Sequence, residues 1–140
     1  MKLQTTKTIE VRFSELDPMQ VVWHGAYPLY LEDAREAFGS KFALSYQDYL
    51  NNGYFTPIVE MNIQYKSPIF YGKAILVEIT YRPTESAKIV FDYIIYDLAT
   101  MNTIATAYSV QVFTDKKYNL SWDKPEFYRL WQEKWEVFKQ

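Results

Sequence analysis

Asp17-Pro18-Met19-Gln20-Val21-Val22-Trp23-His24-Gly25-Ala26-Tyr27 places an acid, a proline turn and the chain's one histidine directly ahead of a change in hydrophobic period. Before it, residues 4–13 alternate loosely and end in Ile9-Glu10-Val11-Arg12-Phe13, the pattern of a strand. After it, Tyr27, Tyr30, Leu31, Ala34, Ala37 and Phe38 recur at helical spacing, with Glu32, Asp33, Arg35 and Glu36 on the other face. Pro28 suits the first turn, where its missing N–H is not needed, and Gly39 reads as the stop. An acid, an imidazole and the free N–H groups of a helix start are the parts of a small site for carbonyl chemistry.

Outward from this stretch the pattern becomes β. Residues 45–53 are short, polar and aromatic, a turn or a brief second helix. Beyond Pro57, Val59, Met61 and Ile63 alternate with Glu60, Asn62 and Gln64. Ile75, Val77, Ile79 and Tyr81 do the same with Leu76, Glu78, Thr80 and Arg82, and Pro83-Thr84-Glu85-Ser86 is turn chemistry. Residues 89–96 are apolar except for Asp92, as in a strand covered on both faces, and 103–113 form another strand. The last element is a helix with Asp123 as cap and Glu126 three residues on. Its apolar stripe is Phe127, Leu130, Trp131, Trp135 and Phe138. Short connections after the first helix predict hairpins between sequence neighbours. The fold class is α+β: one domain over 1–140, with an antiparallel sheet of about five strands on one long helix, plus a C-terminal helix.

Composition removes several classes of function. The chain has 140 residues, no cysteine and a net charge of −2, so thiolate catalysis, disulfides and Cys-type zinc sites are excluded. A single histidine cannot build a His-rich metal site. The acidic balance lacks the basic face that nucleic acid requires. No apolar run approaches the roughly 20 residues of a membrane span. The polar start Met1-Lys2-Leu3-Gln4-Thr5-Thr6-Lys7 is not a signal peptide, so the cytoplasm is the expected compartment. Aromatics make up 19% of the chain, suited equally to a bulky β core and to the lining of a small-molecule pocket or subunit interface.

Asp17-Pro18, Val21-Val22-Trp23-His24, Tyr27 and Glu32-Asp33-Ala34-Arg35, followed later by Tyr65-Lys66-Ser67-Pro68-Ile69 and Gly72, resemble the signature of hot-dog-fold acyl-CoA thioesterases of the 4-hydroxybenzoyl-CoA thioesterase type. In that fold an antiparallel sheet wraps around one long central helix, the element order read above. The resemblance covers nearly the whole chain and implies hydrolysis of acyl-CoA thioesters to free acid and CoA. It implies no metal and no prosthetic group, coenzyme A entering as part of the substrate. It also implies a homodimer or homotetramer, paired edge to edge, with the active site completed between subunits.

By the same resemblance Asp17 takes the catalytic carboxylate role, as nucleophile or as base for water. His24 contributes a backbone amide at the helix start that polarises the carbonyl, with its imidazole as a further donor or proton carrier. Val22, Trp23 and Tyr27 are substrate-binding candidates, and Lys66 and Arg82 are cations suited to a CoA phosphate. Gln20 and Ala26 depart from the glycine and asparagine common in relatives. Another branch of the fold carries its acid on the central helix, which makes Glu32, Asp33 and Glu36 candidates. Their ordinary reading is a charged, solvated face. A non-catalytic acyl-CoA-binding protein and a dehydratase-like enzyme of the same fold are the alternative functions.

Overall fold

Helix α1, Tyr27–Phe42, is the axis of the computed structural model, which describes residues 2–139. Met1 and Gln140, the outer ends of the unit read from sequence, lie outside the described residues. Pro28 stands in the first turn of α1, and Tyr27, Tyr30, Leu31, Ala34 and Phe38 form its buried stripe. Five strands face it: β1 Gln4–Glu10, β2 Ile58–Tyr65, β3 Ala74–Arg82, β4 Lys88–Asp97 and β5 Thr103–Val112. They form one antiparallel sheet in the order β1-β3-β4-β5-β2. The period of two sends Ile75, Val77, Ile79 and Tyr81 of β3, and Ile89, Phe91, Tyr93 and Ile95 of β4, into the core beneath α1.

The helix does not stop at Gly39. It runs one turn further and ends where Ala43 adopts the left-handed conformation, φ 58°. Gly39 is buried instead, and it accepts the Leu44 N–H at 3.0 Å. A Cβ at this position would lie 2.7 Å from the Ser45 Cα and 2.8 Å from the Leu44 oxygen. The missing side chain lets the returning chain pass. Gly39→Ala gains about 1 kcal/mol of helix propensity, but the clash with backbone costs about 1–3 kcal/mol. The expected net result is a destabilisation of about 1 kcal/mol, read as a lowered denaturation midpoint in urea.

Three further expectations are corrected. β2 does not form a hairpin with β3 but pairs with β5 across the sheet, so residues 66–73 form a crossover rather than a tight turn. This crossover joins the Asp17 loop, since Val22 N–H donates to the Ile69 carbonyl at 2.8 Å. β4 is buried throughout on its inner face, whereas on the other face Val90 is buried but Asp92, Ile94 and Tyr96 are half-buried. Arg35 leaves the polar face of α1 and is 8% exposed, its Nη1 donating to the Tyr93 hydroxyl at 3.1 Å. Its place one turn beyond Leu31 and one short of Phe38 turns it toward the sheet.

The segment 45–53 contains α2, Tyr46–Asn51, capped by Ser45, whose side chain accepts the Asp48 N–H. The last helix, α3, covers Glu126–Lys134. Asp123 does not cap it: Pro125 precedes the first turn, and the Tyr128 and Arg129 N–H groups bond to the Pro125 carbonyl. Glu126 pairs with Arg129 rather than reaching back. The buried face is Tyr128, Trp131 and Gln132, while Leu130 and Phe138 are exposed. Gln132 decides the rotation by donating to the Tyr81 hydroxyl at 2.9 Å and the Thr84 carbonyl at 3.0 Å. Trp131 Nε1 donates to the Phe42 carbonyl at 2.6 Å, fastening α3 to the end of α1.

Candidate functional site

The loop between β1 and α1 is built around Asp17. Its Oδ1 accepts the Met19 N–H at 2.8 Å and the Val21 N–H at 3.4 Å, and its backbone N–H donates to the Val21 carbonyl. The turn closes through Gln20 N–H to the Asp17 carbonyl, with Gln20 at φ 65°. A left-handed glutamine costs about 1 kcal/mol more than a glycine there, which gives the departure at position 20 a physical meaning. The Asp17 Oδ2 has no hydrogen-bond partner among the described residues.

Residues His24–Ala26 form a single 3-10 turn that runs directly into α1. The His24 and Gly25 N–H groups find no acceptor among the described residues, as at the first positions of any helix. Two tethers fix this turn. Trp23 N–H donates to the Glu15 carbonyl at 2.7 Å, while the Glu15 side chain accepts the Tyr30 phenol of α1 at 2.7 Å. On the far side, the Tyr65 hydroxyl at the end of β2 donates to the His24 carbonyl at 3.0 Å. Burial, and then Glu15 beside it, push the Tyr30 pKa well up. Burial, and then Tyr65, raise that of Tyr27, and burial raises that of Tyr65. All three phenols therefore stay protonated near neutrality, and those of Tyr30 and Tyr65 act as donors.

The structure brings Asp17, Val22, His24, Tyr27 and Lys66 together around a concavity of about 350 Å³. Tyr65 and Ser67 complete its polar wall, and Met19, Val21 and Pro68 its apolar one. Trp23 does not line it. That ring is half-exposed and lies over Gly25, where an added Cβ would stand 2.4 Å from the indole. Arg82 is also elsewhere. It pairs with Asp92 on the outer face of the sheet and lines a separate hollow with Lys2 and Pro83. Of the helix acids, Asp33 and Glu36 are exposed, and Glu32 borders a different, aromatic groove.

Tyr65, which the sequence shows only as part of a strand-to-turn segment, is a further residue of the site. The alternation of β2 placed it on the same face as Met61 and Ile63 but gave no sign of a contact 41 positions away. Among the described residues no three His, Asp or Glu side chains cluster as a metal site.

Comparison with known proteins agrees with this architecture. Residues 11–132 match the family model described as the thioesterase-like superfamily. The chain is 34% identical over 111 residues to the Bacillus subtilis (strain 168) protein named "Putative acyl-CoA thioesterase YneP", covering 79% of this chain and 80% of that one. It is 28% identical over 110 residues to "Acyl-acyl carrier protein thioesterase ATL3, chloroplastic" of Arabidopsis thaliana, covering 79% of this chain and 58% of that one. The solved DHNA-CoA thioesterase of Staphylococcus aureus superposes with a TM-score of 0.86 at 24% identity, over 96% of this chain and 92% of that one. The chain belongs to the thioesterase-like superfamily and has its hot-dog fold.

Proposed function

We infer that the protein hydrolyses acyl-CoA thioesters to the free acid and CoA, with Asp17 as the acting carboxylate. The observation that carries the reading is the state of Asp17: one oxygen is held by two amides, and the other is unpartnered in a residue that lines the same concavity as His24, whose N–H is free. A thioester carbonyl whose oxygen meets the His24 amide is polarised by that donor and by the positive end of α1. The Asp17 carboxylate then attacks the carbonyl carbon, giving a mixed anhydride and CoA thiolate, and water cleaves the anhydride. Alternatively, it takes a proton from the water that attacks. Lys66, at the exposed rim, suits a CoA phosphate. Water is the final acceptor in either route, and neither needs a metal or a prosthetic group.

A thiol-release assay over a panel of acyl-CoA esters, with an acyl-carrier-protein thioester alongside, tests the reading. CoA release from at least one ester is expected. Tight binding of CoA esters with no release from any of them would overturn it in favour of a non-catalytic acyl-CoA-binding protein. No helix among the described residues is long and apolar enough to cross a membrane. The cytoplasm, where CoA esters are available, is the compartment this reading requires.

Tyr65 belongs to the same reading as a positioning residue. Tyr65→Phe keeps the ring against Tyr27 and removes only the bond to the His24 carbonyl. Losing one such bond is worth about 1 kcal/mol, so turnover should fall roughly fivefold. Since the hydroxyl positions the turn rather than gripping the substrate, KM should hold.

The free edge of β2 carries the second half of the proposal. Its unpaired backbone groups, with Val59 and Tyr65 exposed along it, form a template for another strand. A second copy pairing antiparallel along β2 covers that edge by two-fold symmetry. A homodimer, or a dimer of such dimers, is the expected species. Light scattering at micromolar concentration should return at least twice the mass of one chain, and a monomer mass would remove this pairing.

A further inference from the structure

The Trp23 ring stays outside the pocket and has a task in the turn behind it. Although the residue is 51% exposed, its indole presses the far edge of the ring on Gly25. A Cβ at position 25 would stand 2.4 Å from Cη2, 2.5 Å from Cζ2 and 2.7 Å from Cζ3. Gly53 and Gly72 are the glycines at positive φ, and Gly25 is not one of them. Position 25 therefore needs a glycine for the approach of the ring and not for its backbone angle.

The backbone of Trp23 is held at both ends. Its N–H donates to the Glu15 carbonyl at 2.7 Å, and its carbonyl accepts the Ala26 N–H at 2.9 Å. The peptide unit that begins with this carbonyl ends in the His24 N–H. In a trans peptide the two point in opposite directions. Tying the Trp23 carbonyl into the turn therefore turns the His24 N–H out of it, where it meets no acceptor among the described residues.

Gly25 is the weak member of this arrangement. It lies inside the bond from Ala26 N–H to the Trp23 carbonyl, and glycine has the freest backbone of any residue. If it swings, the Ala26 N–H leaves that carbonyl, and the His24 N–H loses its direction. An indole resting on Gly25 blocks the swing.

We propose that Trp23 and Gly25 act as a pair that aims the His24 amide at the thioester carbonyl. The glycine lets the indole approach, and the indole removes the freedom that the glycine brings. Trp23 is thus a positioning residue, working through the peptide unit it shares with His24. The inference rests on the thioesterase reading, in which that amide is the oxyanion donor.

The test is a pair of substitutions read in kcat and KM separately. Trp23→Ala should lower kcat roughly tenfold, less than the 100-fold or more that follows outright loss of an oxyanion donor, and leave KM in place. Adding Gly25→Ala to that variant should restore kcat to within about threefold of wild type, because alanine stiffens a helical turn by itself and no ring is left for its methyl group to strike. A tryptophan that gripped the substrate would instead raise KM and gain nothing from alanine at position 25. Wild-type kcat in Trp23→Ala, or a loss that the second substitution does not recover, overturns the inference and leaves the hydrolase reading intact.

NMR checks the contact without turnover. The Gly25 α-proton resonances should be displaced upfield by the indole ring in the wild-type protein and return to ordinary positions in Trp23→Ala. Ordinary positions in the wild type overturn the contact, whether or not the variant folds. The displacement present, with no CoA released from any ester, overturns the hydrolase reading and the positioning role with it.

Discussion

Asp17→Asn is expected to lose at least ~100-fold in turnover, the scale of a positioned acid–base or nucleophilic carboxylate. The substitution separates chemistry from structure because the amide oxygen of asparagine can replace Oδ1. It accepts the Met19 and Val21 N–H groups as the carboxylate does, so the turn and the crossover bonded beyond it should stay in place. What disappears is the second oxygen, now an NH2 group that neither attacks a carbonyl nor takes a proton. The thermal midpoint and CoA-ester binding should therefore change little while kcat collapses. Purified Asp17→Asn with wild-type turnover would remove the carboxylate from the mechanism altogether. A variant that loses stability in step with activity would return Asp17 to the ordinary role of a turn-forming residue ahead of a proline.

How far the sequence could be read depended on the range of the interaction involved. The stripe Tyr27, Tyr30, Leu31, Ala34, Phe38 and the alternation of β3 are local periodicities, and the structure follows them. The Asp17–His24 stretch is also legible, because only seven peptide units separate the acid from the helix start, which keeps them close whatever surrounds them. Contacts that close over long distances left no such trace. Nothing in Ile58–Tyr65 says that this strand crosses to β5 rather than folding back on β3. Gly39 looks like a helix stop because glycine commonly is one, and only the approach of Leu44 and Ser45 gives its actual use. Arg35 reads as solvent-facing by type, and its burial depends on Tyr93, 58 positions on. Motif and charge group Trp23 and Arg82 with the site, two criteria blind to direction. One ring folds over its own turn, and the other side chain sits on the opposite face of the sheet. Lys66, a cation singled out by the same criterion of charge, lines the pocket at the crossover.

The His24 amide should prove the more consequential half of that residue, and two substitutions at one position separate the halves. His24→Ala keeps the N–H and removes the imidazole, which is exposed, lines the pocket and stands beside the Trp23 ring. A loss of roughly tenfold, below the roughly 100-fold or more of an obligatory acid–base group, is expected. His24→Pro removes both. The backbone should accept it, because position 24 opens a helical turn, where a missing N–H breaks no bond, and Trp23 before it is extended at ψ 135°, as a pre-proline residue must be. Removal of one oxyanion donor costs about 100- to 1000-fold, so His24→Pro should fall well below His24→Ala and at least to the level of Asp17→Asn. The Gly25 N–H beside it is left to give whatever activity persists. Equal losses in the alanine and proline variants would transfer the whole effect to the imidazole. Near-wild-type kcat in the proline variant would mean that the thioester carbonyl is polarised elsewhere, since no donor would remain at position 24 to do it.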